Sequence, residues 1–326
     1  MRKISALIVA TVVAASLAAC SSPTTAADCL TGAPSGDAAS LITATGTVST
    51  DSAVANSTPP VVDYPTPLFT KGVEKETLVE GTGQLLQDGD AADVYAWVYD
   101  GAAAATTPLI QGFAIPLLGS EDSTLPFGVL AECSTVGSRV VATIETADYP
   151  ALVPANGVTP GDTLVIVMDI TARYLGKANG TDQLPQAGFP SVVLTPEGRP
   201  GITIPNATAP KKAEHAVLKA GDGETVKDGD VVVANFTALT WDGKEVFAST
   251  WDNAAPTLVT ADVFDATNNT TGMVPGLKEA IVGQKVGSQI VVVIPPASGF
   301  GDASEGVGVT ATDTIVYVFD VLGIQK

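Results

Sequence analysis

The sequence predicts an α+β protein made of two copies of one domain, each a strongly curved antiparallel sheet with one short helix across its concave face. Internal repetition is the first observation behind this. "LVEGTGQLLQDGD" (Leu78 to Asp90) lines up with "LKAGDGETVKDGD" (Leu218 to Asp230) at an offset of 140 residues. "VGSRVVATI" from Val136 lines up with "VGSQIVVVI" from Val286 at 150, and "GVTPGDTLVIVMDI" from Gly157 with "GVTATDTIVYVFDV" from Gly308 at 151. Order is kept while the offset drifts, so one domain was duplicated and its second copy gained net insertions. The second observation is that short runs such as "DVVVANFTAL" and "SQIVVVI" are rich in β-branched and aromatic residues and bounded by Gly, Asp and Pro, as strands are. The third is a single helical pattern, "GLKEAIVG", with Leu277, Ala280 and Ile281 on one stripe and Gly283 as a C-terminal stop.

Taken from the N-terminus, residues 1–20 carry Arg2 and Lys3, an apolar run from Ile4 and small residues before Cys20. That is a secretory signal, and its apolar run is shorter than a spanning helix needs. The ending "LAAC" resembles the lipobox of bacterial lipoproteins, which implies lipidation of Cys20 and anchoring at the outer face of the cell membrane; plain signal cleavage near Ala19 is the alternative. Residues 21–60, poor in aromatic and large aliphatic side chains, read as a flexible Ser/Thr/Ala-rich spacer. Domain one is expected at 61–175, a linker at 176–186 and domain two at 187–326, because "GFPSVVL" echoes "DYPTPLF" at Asp63.

A formal net charge of −19 argues against nucleic acid as a partner. His215 is the sole histidine, which excludes imidazole-rich metal sites and Ser-His triads; no metal and no cofactor is expected. Outside the signal, Cys29 and Cys133 remain; in an oxidising exterior they either pair, pinning the tail to domain one, or stay as two isolated thiols.

In domain two the motifs fall in a recognisable order: "GDGETVKDGDVVV", "WDGKEVFAST", "VPGLKEAIVGQKVGSQIVVVIPP", "SGFG" and "TIVYVFDVLGI". From about Ala213 to Lys326 the chain resembles the FKBP-type peptidyl-prolyl cis-trans isomerases. Domain one shares this mainly through the repeat. With the lipobox and spacer, the layout is similar to exported actinobacterial FKBP lipoproteins. The resemblance implies tandem FKBP-like domains, proline-containing polypeptide clients and a catalytic set of Phe247, Val274, Leu277, Phe300 and Phe319. Within it, the Val274 amide faces the substrate carbonyl, Leu277 forms the pocket floor, and Phe247 and Phe319 are walls. Phe236, Ala248, Trp251 and Ile294 complete the expected substrate-binding set. Phe236 and Phe300 stand where many active relatives carry tyrosine, and Ala248 where they carry aspartate, so three polar groups are missing from one pocket. In domain one "TTPLIQGFAIPLL" does not reproduce the "FAST" region, and the helix segment "FGVLAECSTVG" is two residues shorter. That copy reads as structural or partner-binding.

Such a pocket needs no acid, base or metal. An X–Pro bond turns over a barrier of roughly 18–20 kcal/mol and takes tens to hundreds of seconds unaided. Its planar form is more polar than the twisted one, so an apolar, water-excluding cleft favours the twist. Trp97 and Trp241 read as strand packing, and His215 as solvated.

Overall fold

The computed structural model describes residues 32–48, 50, 59–115, 118, 126–149, 158–252, 255–265, 271–301 and 308–326. The first described segment is ordered, which corrects the spacer expectation for part of 21–60. Strand β1 (Thr43–Thr45) pairs with β2 (Val61–Asp63). Ala38, Ile42, Val62, Tyr64 and Leu68 then pack on Tyr95, Trp97 and Val167 of domain one. The physical reason is local: the few apolar residues of this stretch meet an apolar sheet face, and the Glu74 carboxylate accepts hydrogen bonds from the amides of Ala38 and Ala39. Domain one therefore begins by about residue 32.

Its sheet comprises β3 (Val73–Val79), β4 (Asp90–Asp100), β5 (Ile110–Ala114), β6 (Arg139–Glu145) and β7 (Thr163–Leu175), in the spatial order β3-β6-β7-β4-β5. Helix α1 is short, Phe127–Ala131. All pairings within this sheet are antiparallel.

After β7 comes β8 (Thr181–Asp182), followed by the hairpin of β9 (Ser191–Leu194) and β10 (Pro200–Thr203). Domain two has β11 (Glu214–Ala220), β12 (Val231–Thr240), β13 (Val246–Ser249), β14 (Thr257–Thr260), helix α2 (Pro275–Ile281), β15 (Gln289–Ile294) and β16 (Ile315–Gln325). Here the order β11-β15-β16-β12-β13 repeats that of domain one, with β8 added beside β11 and β14 beside β12. Even the irregularities are duplicated: bulges fall at Thr77/Val79 and Val217/Lys219, and at Asp93/Val94 and Val233/Ala234. A bulge bends the strand that carries it, which is how both sheets acquire their curvature.

Alternation along each strand splits the core in two. In β16, Ile315, Tyr317, Phe319 and Val321 face helix α2 on the concave side, while Val316 and Val318 face the convex side. There Ile204, Ile202, Val192 and Phe189 of the β9–β10 hairpin and its flanks cover the sheet. Each copy is thus preceded by a strap that closes its convex face.

Residues 176–186 are not a loose linker either. The Gly180 amide bonds to the Gly287 carbonyl, Gly176 accepts from Asn235, and the Ala178 amide donates to the Asp320 carboxylate at 2.9 Å. Domain two accordingly starts near Gly176 rather than Ala187. Between the copies, Ala91 and Tyr174 pack on Val233 and Leu322. The Asp93 carboxylate accepts from the Tyr174 hydroxyl at 3.0 Å and from the Gln325 side chain at 3.1 Å.

Candidate active site

The concave face of domain two gathers most of the residues the sequence singled out. Strand β12 offers Phe236, whose register partner on β16 is Phe319; the two rings stack at 6.1 Å with 3° between planes. From edge strand β13, Phe247 meets Phe300 edge-on at 6.3 Å. Phe236, Phe247 and Phe300 are half-buried, whereas Phe319, Leu277, Val274 and Ile294 are buried. Open rings over a closed apolar floor form a cleft that can take an apolar side chain or ring and strip its water.

Helix α2 lies against β15 because Gly276 permits it. A Cβ there would stand 2.8 Å from Ile294 Cγ2 and 3.2 Å from the Cβ atoms of Ala213 and Ser298. Pro275 at the first helical position needs no acceptor for an N–H it lacks. Val274 caps the helix in extended conformation, φ −62° and ψ 149°, and its carbonyl accepts from Leu277 and Lys278. Its own amide donates to no group among the described residues. This is the donor the sequence reading assigned to a substrate carbonyl.

Behind the rings a polar lock fixes the junction of β12 and β13. Thr250 Oγ1 accepts from the Phe236 amide at 2.9 Å and donates to Asn235 Oδ1 at 2.9 Å. Ala248 pairs with Ala238, and both bring only methyl groups to the concave face.

Trp251 is placed differently from the rim position expected of it. Its ring tip lies where Gly198, in the turn between β9 and β10, leaves room: a Cβ there would be 3.0 Å from Trp251 Cη2. The 3-10 turn Thr250–Asp252 carries the indole toward the strap, and Arg199 binds Asp252 beside it. Trp97 and Trp241 are convex-face packing, as the sequence implied. Cys20 and Cys29 lie outside the described residues; Cys133 is disulfide-bonded.

Tyr317 was missed by the sequence reading. Two residues before Phe319 on the same strand, it faces the same side, a period-2 signal visible in "TIVYVFDV". Its ring contacts Phe236 at 5.5 Å and Phe247 at 6.2 Å, and burial alone raises the pKa of its hydroxyl.

Domain one has the same frame without the rings. Ala96 pairs with Met168 where Phe236 pairs with Phe319, and Val98 with Ile166 where Ala238 pairs with Tyr317. Aliphatic side chains fill the space under α1, with Tyr149 packed at its margin.

Residues 222–322 match the family described as FKBP-type peptidyl-prolyl cis-trans isomerase. The FKBP-type isomerase FkpA of Escherichia coli is 33% identical over 111 residues, which cover 34% of this chain and 37% of that protein. Outer membrane protein MIP of Legionella longbeachae is 23% identical over 158 residues, 48% of this chain and 62% of that one. A crystal structure of FkpA from Escherichia coli aligns at 26% identity and TM-score 0.30 over 43% of this chain and 53% of that one. The family match lies wholly within the second copy, and the first copy repeats that copy's strand order. The chain spans little more than a third of the length of the curated FkpA relatives it matches.

Proposed function

We propose that this chain is a peptidyl-prolyl cis-trans isomerase assisting the folding of exported proteins, with its working pocket in domain two and a lipid anchor at Cys20 holding it to the outer face of the cell membrane. Proline-containing polypeptides are its clients. The observation that supports this most directly is the cleft itself: three half-open phenylalanine rings over the Phe319–Leu277–Ile294 floor, with the Val274 amide unengaged beside them. The floor receives the pyrrolidine ring, the amide holds a client carbonyl, and exclusion of water favours the less polar twisted bond. Domain one, with Ala96 and Met168 in place of the stacked rings, serves as a structural or client-holding copy.

The test is a protease-coupled isomerisation assay on the full chain with an X–Pro peptide. We expect a catalysed rate, and a drop of roughly ten-fold in kcat/KM for Phe247→Ala, the worth of losing about half of a buried ring's apolar contact. A rate equal to buffer would sink the enzymatic reading. A second reading, a non-catalytic holder of proline segments, draws on Ala248, Phe236 and Phe300, none of which itself brings a carboxylate or hydroxyl to the cleft. It predicts peptide binding without turnover.

A further inference from the structure

Tyr317 supplies the one side-chain hydroxyl among the described rings of the cleft, and its surroundings give that hydroxyl nothing to bond. Across the sheet its register neighbours are Ala238 on one side and Val292 on the other, and beyond Ala238 lies Ala248. The two methyl groups leave the width that a phenol ring occupies, between Phe236 and Phe247. No hydrogen bond to the Tyr317 side chain exists among the described residues. Yet its oxygen is not one of the fully enclosed orphans, which are Asp93 Oδ1 and Glu132 Oε1 among the described residues. Tyr317 as a whole is 6% exposed, and the two rings that touch its own, Phe236 and Phe247, are half-open to the cleft.

A hydroxyl at such a place has no partner within the described protein and is left to water or to a bound visitor. At proline the client backbone has no N–H, so only carbonyl oxygens are on offer there and the hydroxyl must be the donor. We propose that Tyr317 Oη–H donates a hydrogen bond to a backbone carbonyl of the bound X–Pro segment, supplying from β16 the polar contact that Phe236, Ala248 and Phe300 do not provide. This rests on the cleft being the client site.

The experiment compares the full chain with its Tyr317→Phe variant in three readouts: kcat/KM on an X–Pro peptide, Kd for a proline-containing peptide by calorimetry, and the urea midpoint without peptide. A roughly three- to ten-fold loss in kcat/KM and in affinity, with an unchanged midpoint, is expected, since one net hydrogen bond to the client is lost and none within the protein. Wild-type activity or binding that the variant matches overturns the role of Tyr317 and leaves the isomerase reading standing. A fall in the urea midpoint without loss of affinity assigns the hydroxyl to structure and also overturns it. Wild-type protein that neither binds nor turns over peptide overturns both readings together.

Discussion

Asp320 offers the most quantitative handle on domain two. Enclosed on β16 next to Phe319, it accepts hydrogen bonds from the Ala178 amide at 2.9 Å and from Gln289 Nε2 at 2.7 Å. In domain one the corresponding carboxylate, Asp169, is held by both arms of Arg139 at 2.6 and 2.7 Å; the second copy has glutamine in place of the cation. Burial pushes the Asp320 pKa up to about 6, against the opposing pull of Ala178, Gln289 and more distant Lys219. In the unfolded chain the group ionises near 4, so between about pH 4 and 6 the unfolded state sheds a proton that the folded state keeps. Its contribution is therefore most favourable below pH 4, declines through that window and is level above it. A shift of about two units corresponds to roughly 3 kcal/mol. Asp320→Asn cannot ionise and keeps one acceptor oxygen. The measurement is urea unfolding from pH 3.5 to 7 in a Trp97→Phe background, so that Trp241 and Trp251 report domain two alone. We expect the stability of the wild type relative to the variant to fall by about 3 kcal/mol as pH rises. A difference flat to within about 0.5 kcal/mol across the range would refute the reasoning.

Two further outcomes follow from the packing. Gly276→Ala drives a methyl group into Ile294, Ala213 and Ser298, and overpacking of this kind costs about 1–3 kcal/mol; a urea midpoint equal to wild type would show that α2 shifts freely. Reducing the disulfide at Cys133, beside the point where the Ala33 amide bonds to Val129, is expected to destabilise domain one by about 2–4 kcal/mol and to expose residues 32–48 to protease. An unfolding curve indifferent to reductant overturns that expectation.

Strand patterns and repeat order were enough to read the frame, because period-2 burial and duplicated Gly-Asp turns are local signals. Helix α2 was legible down to its stop at Gly283, whose φ is 93°. Leu277 and Phe319, which the resemblance implied as floor and wall, share one buried concave-face cluster with Ile294. The straps were not legible. Ile42, Val62, Val192 and Ile202 are isolated apolar residues in Ser, Thr and Gly surroundings, and only the convex face they meet gives them a role. Trp251 failed for a related reason: its neighbour Gly198 is 53 positions away, in a turn the sequence reading did not place. Tyr317 was legible in principle but was eclipsed by Phe319 beside it.

The contact between the copies bears on how this protein can be taken apart. The ring of Tyr174, in the last strand of the first copy, lies against Gly323 in the last strand of the second, where any Cβ would sit 2.2 Å from its Cδ1. A fragment begun at Ala187 would uncover Val233 and Leu322, strip β8 from the sheet edge and leave the Asp320 carboxylate without the Ala178 amide. Cutting at Gly176 restores the last two but still bares the apolar patch. Duplication here has produced a fused pair rather than beads on a string, so the second copy's behaviour belongs to the whole chain.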